Sequence, residues 1–159
     1  MPKINDTIVI LYNIRSVYNV GAIFRTADAA GISKIYLVGY TPAPLDRFGR
    51  ARKDLAKSAL GAETTVPWES VKTIAPLLAK LKKNGYEIVA LEQDENSIDY
   101  KKYKAKKKTA LILGEEVRGI PKNILKECDV VIEIPMHGQK ESLNVSVATG
   151  IALFRILNI

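Results

Sequence analysis

Apolar and polar positions repeat along the chain with two alternating periods, and their succession predicts strands and helices in turn from end to end. Thr7 to Tyr12 (TIVILY) is a β-branched apolar run with strand character. From Gly21 to Ala30 the apolar residues Ala22, Ile23, Ala27 and Ala30 fall at helical spacing, and Gly31 is placed to end that helix. Lys34 to Val38 (KIYLV) reads as a second strand. Gly39 to Arg50, with Pro42, Pro44 and Gly49, reads as a loop. A short helix over Arg52 to Leu60, Gly61 and a short strand at Thr64 to Pro67 follow. Val71, Ile74, Leu77, Leu78 and Leu81 then recur at helical spacing, with Pro76 marking a kink or a true start and Asn84-Gly85 a stop. Tyr86 to Leu91, Thr109 to Leu113 (TALIL) and Val130 to Ile134 are further strands. Pro121 to Lys126 predicts a short helix and Ser142 to Leu157 a long one. This alternation predicts an α/β fold with a mostly parallel sheet, in a single domain over 1–159.

Composition adds little to that architecture and more to the choice of partner. Of 159 residues, 47% are hydrophobic and 26% charged, an ordinary globular mixture. Met1 to Tyr12 carries charges and does not read as a signal peptide. No apolar run approaches the roughly 20 residues that span a bilayer. The lone cysteine, Cys128, excludes an internal disulfide and reads as a core or boundary residue. A cytoplasmic protein is expected. The formal charge of +7 points to a polyanionic partner, because lysine and arginine that neutralise phosphates release counterions; a lysine-rich surface is the plainer alternative.

Three segments look unlike scaffold. The first is Asn19-Val20-Gly21-Ala22-Ile23-Phe24-Arg25-Thr26-Ala27, which follows the first strand and opens a helix. Read alone, Asn19 is a helix cap and Arg25 a solvated side chain. The second, Gly114-Glu115-Glu116-Val117-Arg118-Gly119, directly follows a strand and so belongs at the sheet's carboxyl edge, where open α/β sheets bind ligands. It lacks the GK[ST] ending of a phosphate loop, and no GxGxxG occurs in the chain. The third runs from Ile134-Pro135-Met136-His137-Gly138 through Ser142-Leu143-Asn144-Val145-Ser146. Ser142 can cap a helix, but Asn144 and Ser146 have poor reasons to lie inside a buried one. Three small polar groups beside that loop suit a polar, adenosine-sized ligand.

In this order the three segments closely resemble the motifs of the SpoU (TrmH-like) RNA methyltransferases, members of the SPOUT superfamily of knotted α/β enzymes. The resemblance runs from about Ile8 to Phe154, with the third motif the most specific. Val117 departs from it, standing where family members often have glycine. The resemblance implies S-adenosylmethionine-dependent methylation of a ribose 2′-hydroxyl, a trefoil knot at the carboxyl end, and a homodimer. It makes Arg25 the catalytic arginine, acting as a base or as an orienting, charge-stabilising group. It assigns Asn19, Glu116, Ser142 and Asn144 to the same centre. It places the cofactor against Leu113, Gly114, Ile134, Pro135, Met136, Ser142, Leu143 and Asn144. A base-modifying knotted enzyme and a catalytically inactive RNA-binding relative are the alternatives.

No metal site is expected from the sequence, and His137, the only histidine, lies at a variable loop position unsuited to a catalytic role. Two basic stretches are candidates for RNA. Arg47, Arg50, Arg52, Lys53 and Lys57 follow the second strand on the presumed site's side of the sheet. The run Lys101, Lys102, Lys104, Lys106, Lys107 and Lys108, interleaved with Tyr100 and Tyr103, is either an RNA contact with stacking or a solvated loop. The last helix carries one apolar stripe of Leu143, Val147, Ile151 and Phe154 and a second of Val145, Ala148, Ala152 and Ile156. A single sheet covers only one of them, so a second copy is expected on the other. With its first strand starting at about Thr7, the chain is expected to grip its RNA with the catalytic domain itself, which favours tRNA over ribosomal RNA.

Overall fold

The computed structural model describes residues 5–159. Met1 to Ile4, the start of the amino-terminal reading and of the expected domain, lie outside the described residues. Seven strands form one sheet in the order β3-β2-β1-β6-β4-β7-β5, and every pairing is parallel. In chain order they are β1 (Asp6–Tyr12), β2 (Lys34–Val38), β3 (Trp68–Val71), β4 (Glu87–Leu91), β5 (Ile98–Asp99), β6 (Lys108–Leu113) and β7 (Val130–Glu133). The helices are α1 (Val17–Ala29), α2 (Lys53–Ala59), α3 (Ala62–Thr65), α4 (Ile74–Lys83), α5 (Lys122–Leu125) and α6 (Val145–Leu157).

The central strands are unbroken apolar runs because both faces of the sheet are covered. On one face Val9, Leu11, Leu111 and Leu113 meet Ile23, Phe24 and Ala27 of α1, Leu55 of α2 and Leu153 and Ile156 of α6. On the other, Ile8, Ile10, Ala110 and Ile112 meet Ile74, Leu77, Leu78 and Leu81 of α4 and Ile124 of α5. Among the described residues no helix is long and apolar enough to cross a membrane.

Several boundaries differ from the sequence reading. The strand expected at Thr64 to Pro67 is instead a helical turn, in which Thr64 Oγ1 donates to Gly61 O (2.7 Å) and Gly61 takes a left-handed φ of 94°. The strand comes later, at β3, and of Pro67 only the carbonyl joins the ladder, accepting from Ile35 N. Val71 therefore closes a strand instead of opening a helix. Helix α4 starts at Ile74, so Pro76 falls in its first turn, where a missing amide costs nothing. Helix α1 starts at Val17 with Ser16 as its cap, and α6 starts at Val145 with Asn144 as its cap. Neither Asn19 nor Ser142 is a cap. The short β5 and the 3-10 turn Tyr100–Lys102 lie in a polar stretch that has no periodicity to reveal them.

Gly21 fixes how closely α1 meets α2. A Cβ built there would stand 2.5 Å from the backbone oxygen of Leu55 and 2.0 Å from Ser58 Oγ. The serine can turn away, but the carbonyl cannot. Gly21→Ala is therefore expected to destabilise the fold by about 1–3 kcal/mol, outweighing the roughly 1 kcal/mol that alanine gains in a helix. Urea unfolding checks this; a midpoint equal to or above that of the unsubstituted protein would show that the two helices part without cost.

Candidate active site

In a parallel sheet every strand delivers its following loop to the same edge. At that carboxyl edge the loops after β4, β6 and β7, with the start of α6, enclose a cleft of ≈ 350 Å³. Open α/β sheets bind ligands in this position, and the volume falls in the lower range of small-molecule pockets. Leu91, Leu113, Ile134, Met136, Leu143 and Val145 give it apolar walls; Glu92, Gln93, Glu115, Glu116 and Ser142 give it polar ones.

The loop after β6 is a closed turn. Glu115 and Gly119 form an antiparallel bridge with Gly119 N donating to Glu115 O at 2.9 Å. Gly119 adopts φ 65°, and a Cβ there would stand 2.2 Å from Glu92 Oε2, which accepts from Ile120 N at 2.9 Å. The carboxylate at the end of β4 thus pins the turn from below. Val117 stands at its tip, 83% exposed and with no positive φ, so the valine costs the turn nothing. On the other side of the cleft, Gln93 Nε2 donates to Glu141 O at 2.7 Å and holds the loop that follows β7.

Behind the cleft a chain of hydrogen bonds joins three segments that lie far apart in sequence. Glu116 accepts from Arg15 N and Ser16 N, both at 3.2 Å, and from Asn19 Nδ2 at 3.3 Å. Asn19 Oδ1 accepts from Asn144 Nδ2 at 3.1 Å, and Asn144 Oδ1 accepts from Ser146 N at 2.8 Å. Asn19, buried at 6% exposure, uses both ends of its amide and ties the amino ends of α1 and α6 to the β6 turn. Burial alone would push the Glu116 carboxyl up. The bonds from its own backbone, from Arg15 and Ser16 and from Asn19 prevail and hold it below the usual range. It is ionised at neutral pH, and this part of the site loosens only as the carboxylate is protonated in acid.

Glu115 differs from its neighbour. Its side chain is buried, and Oε1 has Arg15 Nε at 3.4 Å, within ion-pair distance but not in hydrogen-bonding geometry. A buried carboxylate oxygen in the cleft wall is thus left with accepting capacity, which suits a ligand that brings hydroxyl or amino groups.

Of the residues that the resemblance assigns to a cofactor, Leu113, Gly114, Ile134, Met136, Ser142 and Leu143 line the cleft. Pro135 is half-buried beside it, and Asn144 stands behind as the α6 cap. Glu116 lines the cleft and Asn19 supports it. Arg25 is elsewhere. It is exposed on α1, in a separate depression with Tyr18, Lys57 and Phe154. Glu92 and Gln93 escaped the sequence reading; their only signal was a position directly after a predicted strand. His137 is exposed and does not line the cleft. Among the described residues no three His, Cys, Asp or Glu side chains gather as a metal site. Cys128, half-buried on the α4 and α5 side, donates to Ile124 O, and burial pushes its thiol up to about 11.

The end of the lysine run and the first basic stretch fall on opposite edges of the sheet. Lys106 to Lys108 lie at the amino edge, away from the cleft. There Lys106 pairs with Glu87, Lys108 Nζ donates to Asn84 O and Tyr103 is buried with its hydroxyl on Glu87. Lys101 pairs with Asp99. Tyr103 is thus closed to any stacking partner. The loop after β2 and α2 lie on the cleft's side. There Arg50 pairs with Asp46 and Arg52 with Asp54, while Arg47, Lys53 and Lys57 make no ion pair among the described residues.

The SpoU rRNA methylase family matches residues 6–154. A Staphylococcus saprophyticus protein assigned to the TrmH family of tRNA/rRNA methyltransferases is 34% identical over 151 residues, 95% of this chain and 58% of that one. An AdoMet-bound rRNA methyltransferase from Sinorhizobium meliloti superposes with a TM-score of 0.86 at 32% identity, over 98% of this chain and 57% of that one. The A. aeolicus TrmH/SpoU tRNA modifying enzyme gives 0.83 at 32% identity, over 96% and 74%. The chain thus spans a little under three fifths of the curated relatives it matches. With the match covering nearly every strand and helix of the sheet and all three cleft segments, the chain belongs to the SpoU rRNA methylase family.

Proposed function

We propose that the protein transfers a methyl group from S-adenosylmethionine to a ribose 2′-hydroxyl of a structured RNA, tRNA before ribosomal RNA, in the cytoplasm. The observation that carries this reading is the bonded series Glu116–Asn19–Asn144 behind a cleft in a chain of this family. The apolar walls and the unsatisfied Glu115 oxygen fit an adenosine-sized ligand carrying hydroxyl and amino groups. When bound, the cofactor supplies an electrophilic methyl group on a cationic sulfur. The side chains and backbone of Leu113, Gly114, Ile134, Pro135, Met136 and Ser142 to Asn144 hold it and exclude water. Arg25 orients the ribose hydroxyl and stabilises the charge that grows on its oxygen as its proton passes to solvent; a guanidinium does not readily give up a proton of its own to act as the base.

The working form is a pair of copies. In the single chain Leu143, Val147, Ile151 and Phe154 are all exposed, and Tyr18 extends the patch onto α1, whereas Ala152 and Ile156 are buried. Arg25 shares that face and not the cleft wall, so the pairing and the catalytic role of Arg25 are argued together. The crossing from β5 back to β6 packs on α6, with Ala105 N donating to Ile156 O at 2.9 Å, and supports a threaded, knotted carboxyl end.

Asn144→Ala removes both the α6 cap and the partner of Asn19. Cofactor affinity is expected to fall by about 1–3 kcal/mol, the cost of a buried polar group left unpaired. Calorimetry with S-adenosylmethionine, beside transfer of labelled methyl to tRNA and to ribosomal fragments, tests the whole reading. Undiminished affinity in the folded variant defeats the placement; label on the base, or none at all, defeats the activity.

A further inference from the structure

The loop after β2 carries a feature that neither the cleft nor the basic charge accounts for. Phe48 stands at its tip with 65% of its surface exposed. Exposed large rings in a mobile loop carry little meaning, but this loop is fastened. Asp46 Oδ1 accepts from Phe48 N (2.8 Å) and Arg50 N (3.0 Å), and Asp46 N donates to Arg50 O (2.8 Å). Leu45 and Ala51 form an antiparallel bridge, Arg52 N donates to Pro44 O, and Gly49 makes the turn at φ 76°. The backbone amides on Asp46 keep its carboxyl well below the usual range, so the fastening holds throughout the neutral range. The guanidiniums of Arg47 and Arg50 lie 4.8 and 4.9 Å from the centre of the Phe48 ring. Tyr40, 52% exposed, stands at the foot of the loop next to Arg15, which reaches to Glu115 in the cleft wall.

We infer that this loop is a stacking platform for one unpaired nucleotide of the RNA substrate, with the Phe48 ring taking the base. The inference rests on the RNA reading above and adds to it the element that distinguishes looped from paired RNA. An aromatic ring offers every base a face, whereas a closed duplex offers it none. Displacing one guanidinium from the ring opens a stacking face and frees that arginine to pair with a phosphate. A loop backbone held by Asp46 loses little freedom on binding, which is how a single residue makes a measurable difference.

Phe48→Ala and Phe48→Trp test this with unfractionated tRNA and a blunt, fully paired RNA duplex as probes. Phe48→Ala is expected to weaken tRNA binding about ten-fold, the size of one base–aromatic stack. Duplex binding, S-adenosylmethionine affinity and the slope of tRNA affinity against salt should stay unchanged, because the lost group is uncharged. Phe48→Trp should restore tRNA binding. Its added fluorescence, measured against the unsubstituted protein with its single Trp68, should be quenched by tRNA and not by duplex. Equal tRNA affinity in Phe48→Ala overturns the inference, as does an equal loss on both probes. A lower molecular mass in Phe48→Ala assigns the ring to contact between copies instead and overturns it too. If the unsubstituted protein binds neither RNA, the functional reading itself fails, a result distinct from the loss of stacking alone.

Discussion

Arg25→Ala is expected to lose roughly 10²–10⁴-fold in methyl transfer, about 3–5 kcal/mol of barrier, while S-adenosylmethionine binds as before. Arg25 lies six residues beyond Asn19 on α1, and its side chain opens on a different depression from the cleft proposed for the cofactor. A residue that lines no part of that cleft is expected to serve the other reactant. Arg25→Lys separates charge from shape: the ammonium keeps the charge and loses the planar fork, so it should recover only a fraction of the rate. Single-turnover methylation with calorimetry on the same samples decides the matter. Near-normal turnover in Arg25→Ala removes the residue from the reaction, and a matching loss of cofactor affinity moves it into the cleft.

Ile151→Glu is expected to abolish pairing and, with it, methylation. Ile151 is the middle of the exposed stripe between Val147 and Phe154, on the face of α6 that the sheet leaves uncovered. A carboxylate buried there without a partner costs several kcal/mol, enough to raise the dissociation constant by at least about 100-fold. The copy itself should fold normally, because Ala152, Leu153 and Ile156 on the opposite side of the helix carry its packing. Light scattering should give about twice 17.6 kDa for the unsubstituted chain and a single chain's mass for the variant. An interface on the order of 2,000 Å² would underlie the first value. A single chain's mass for the unsubstituted protein at micromolar concentration would remove the pairing altogether.

The sequence made the sheet legible because both of its faces are buried: runs such as TIVILY and TALIL admit no other home in a chain this short. Helix starts were less legible, since Ser16, Asn19, Ser142 and Asn144 are all competent caps by type and only the backbone chooses between them. The turn at Ala62–Thr65 was misread because β-branched threonines favour strands until a left-handed glycine and a side-chain bond to its carbonyl intervene. The motif residues were readable as a group, but their division of labour was not. That Asn19 bridges Glu116 to Asn144 depends on both ends of one amide finding partners 97 and 125 positions away. Glu92 and Gln93 carry no motif at all and hold the cleft's two rims only because β4 lies between β6 and β7.

That strand order also governs how the molecule is made. The register pairs Ile8 with Ala110 and Leu11 with Leu113, so the middle of the sheet joins segments about a hundred residues apart. During synthesis β1, β2 and β3 emerge together and can pair at once, leaving one edge of β1 open until β6 appears. β7 and α6 come last, and Asn144 can reach Asn19 only then. Loop closure of this length must be met before its contacts reward it, which puts the chain among slow, high contact-order folders. The exposed strand edge in the interim is apolar, the kind of surface on which unfinished chains associate. The cleft is thus the last part of the molecule to form: a chain cut short before β7 ends with a partial sheet, and one cut between β7 and residue 144 has every strand but no site.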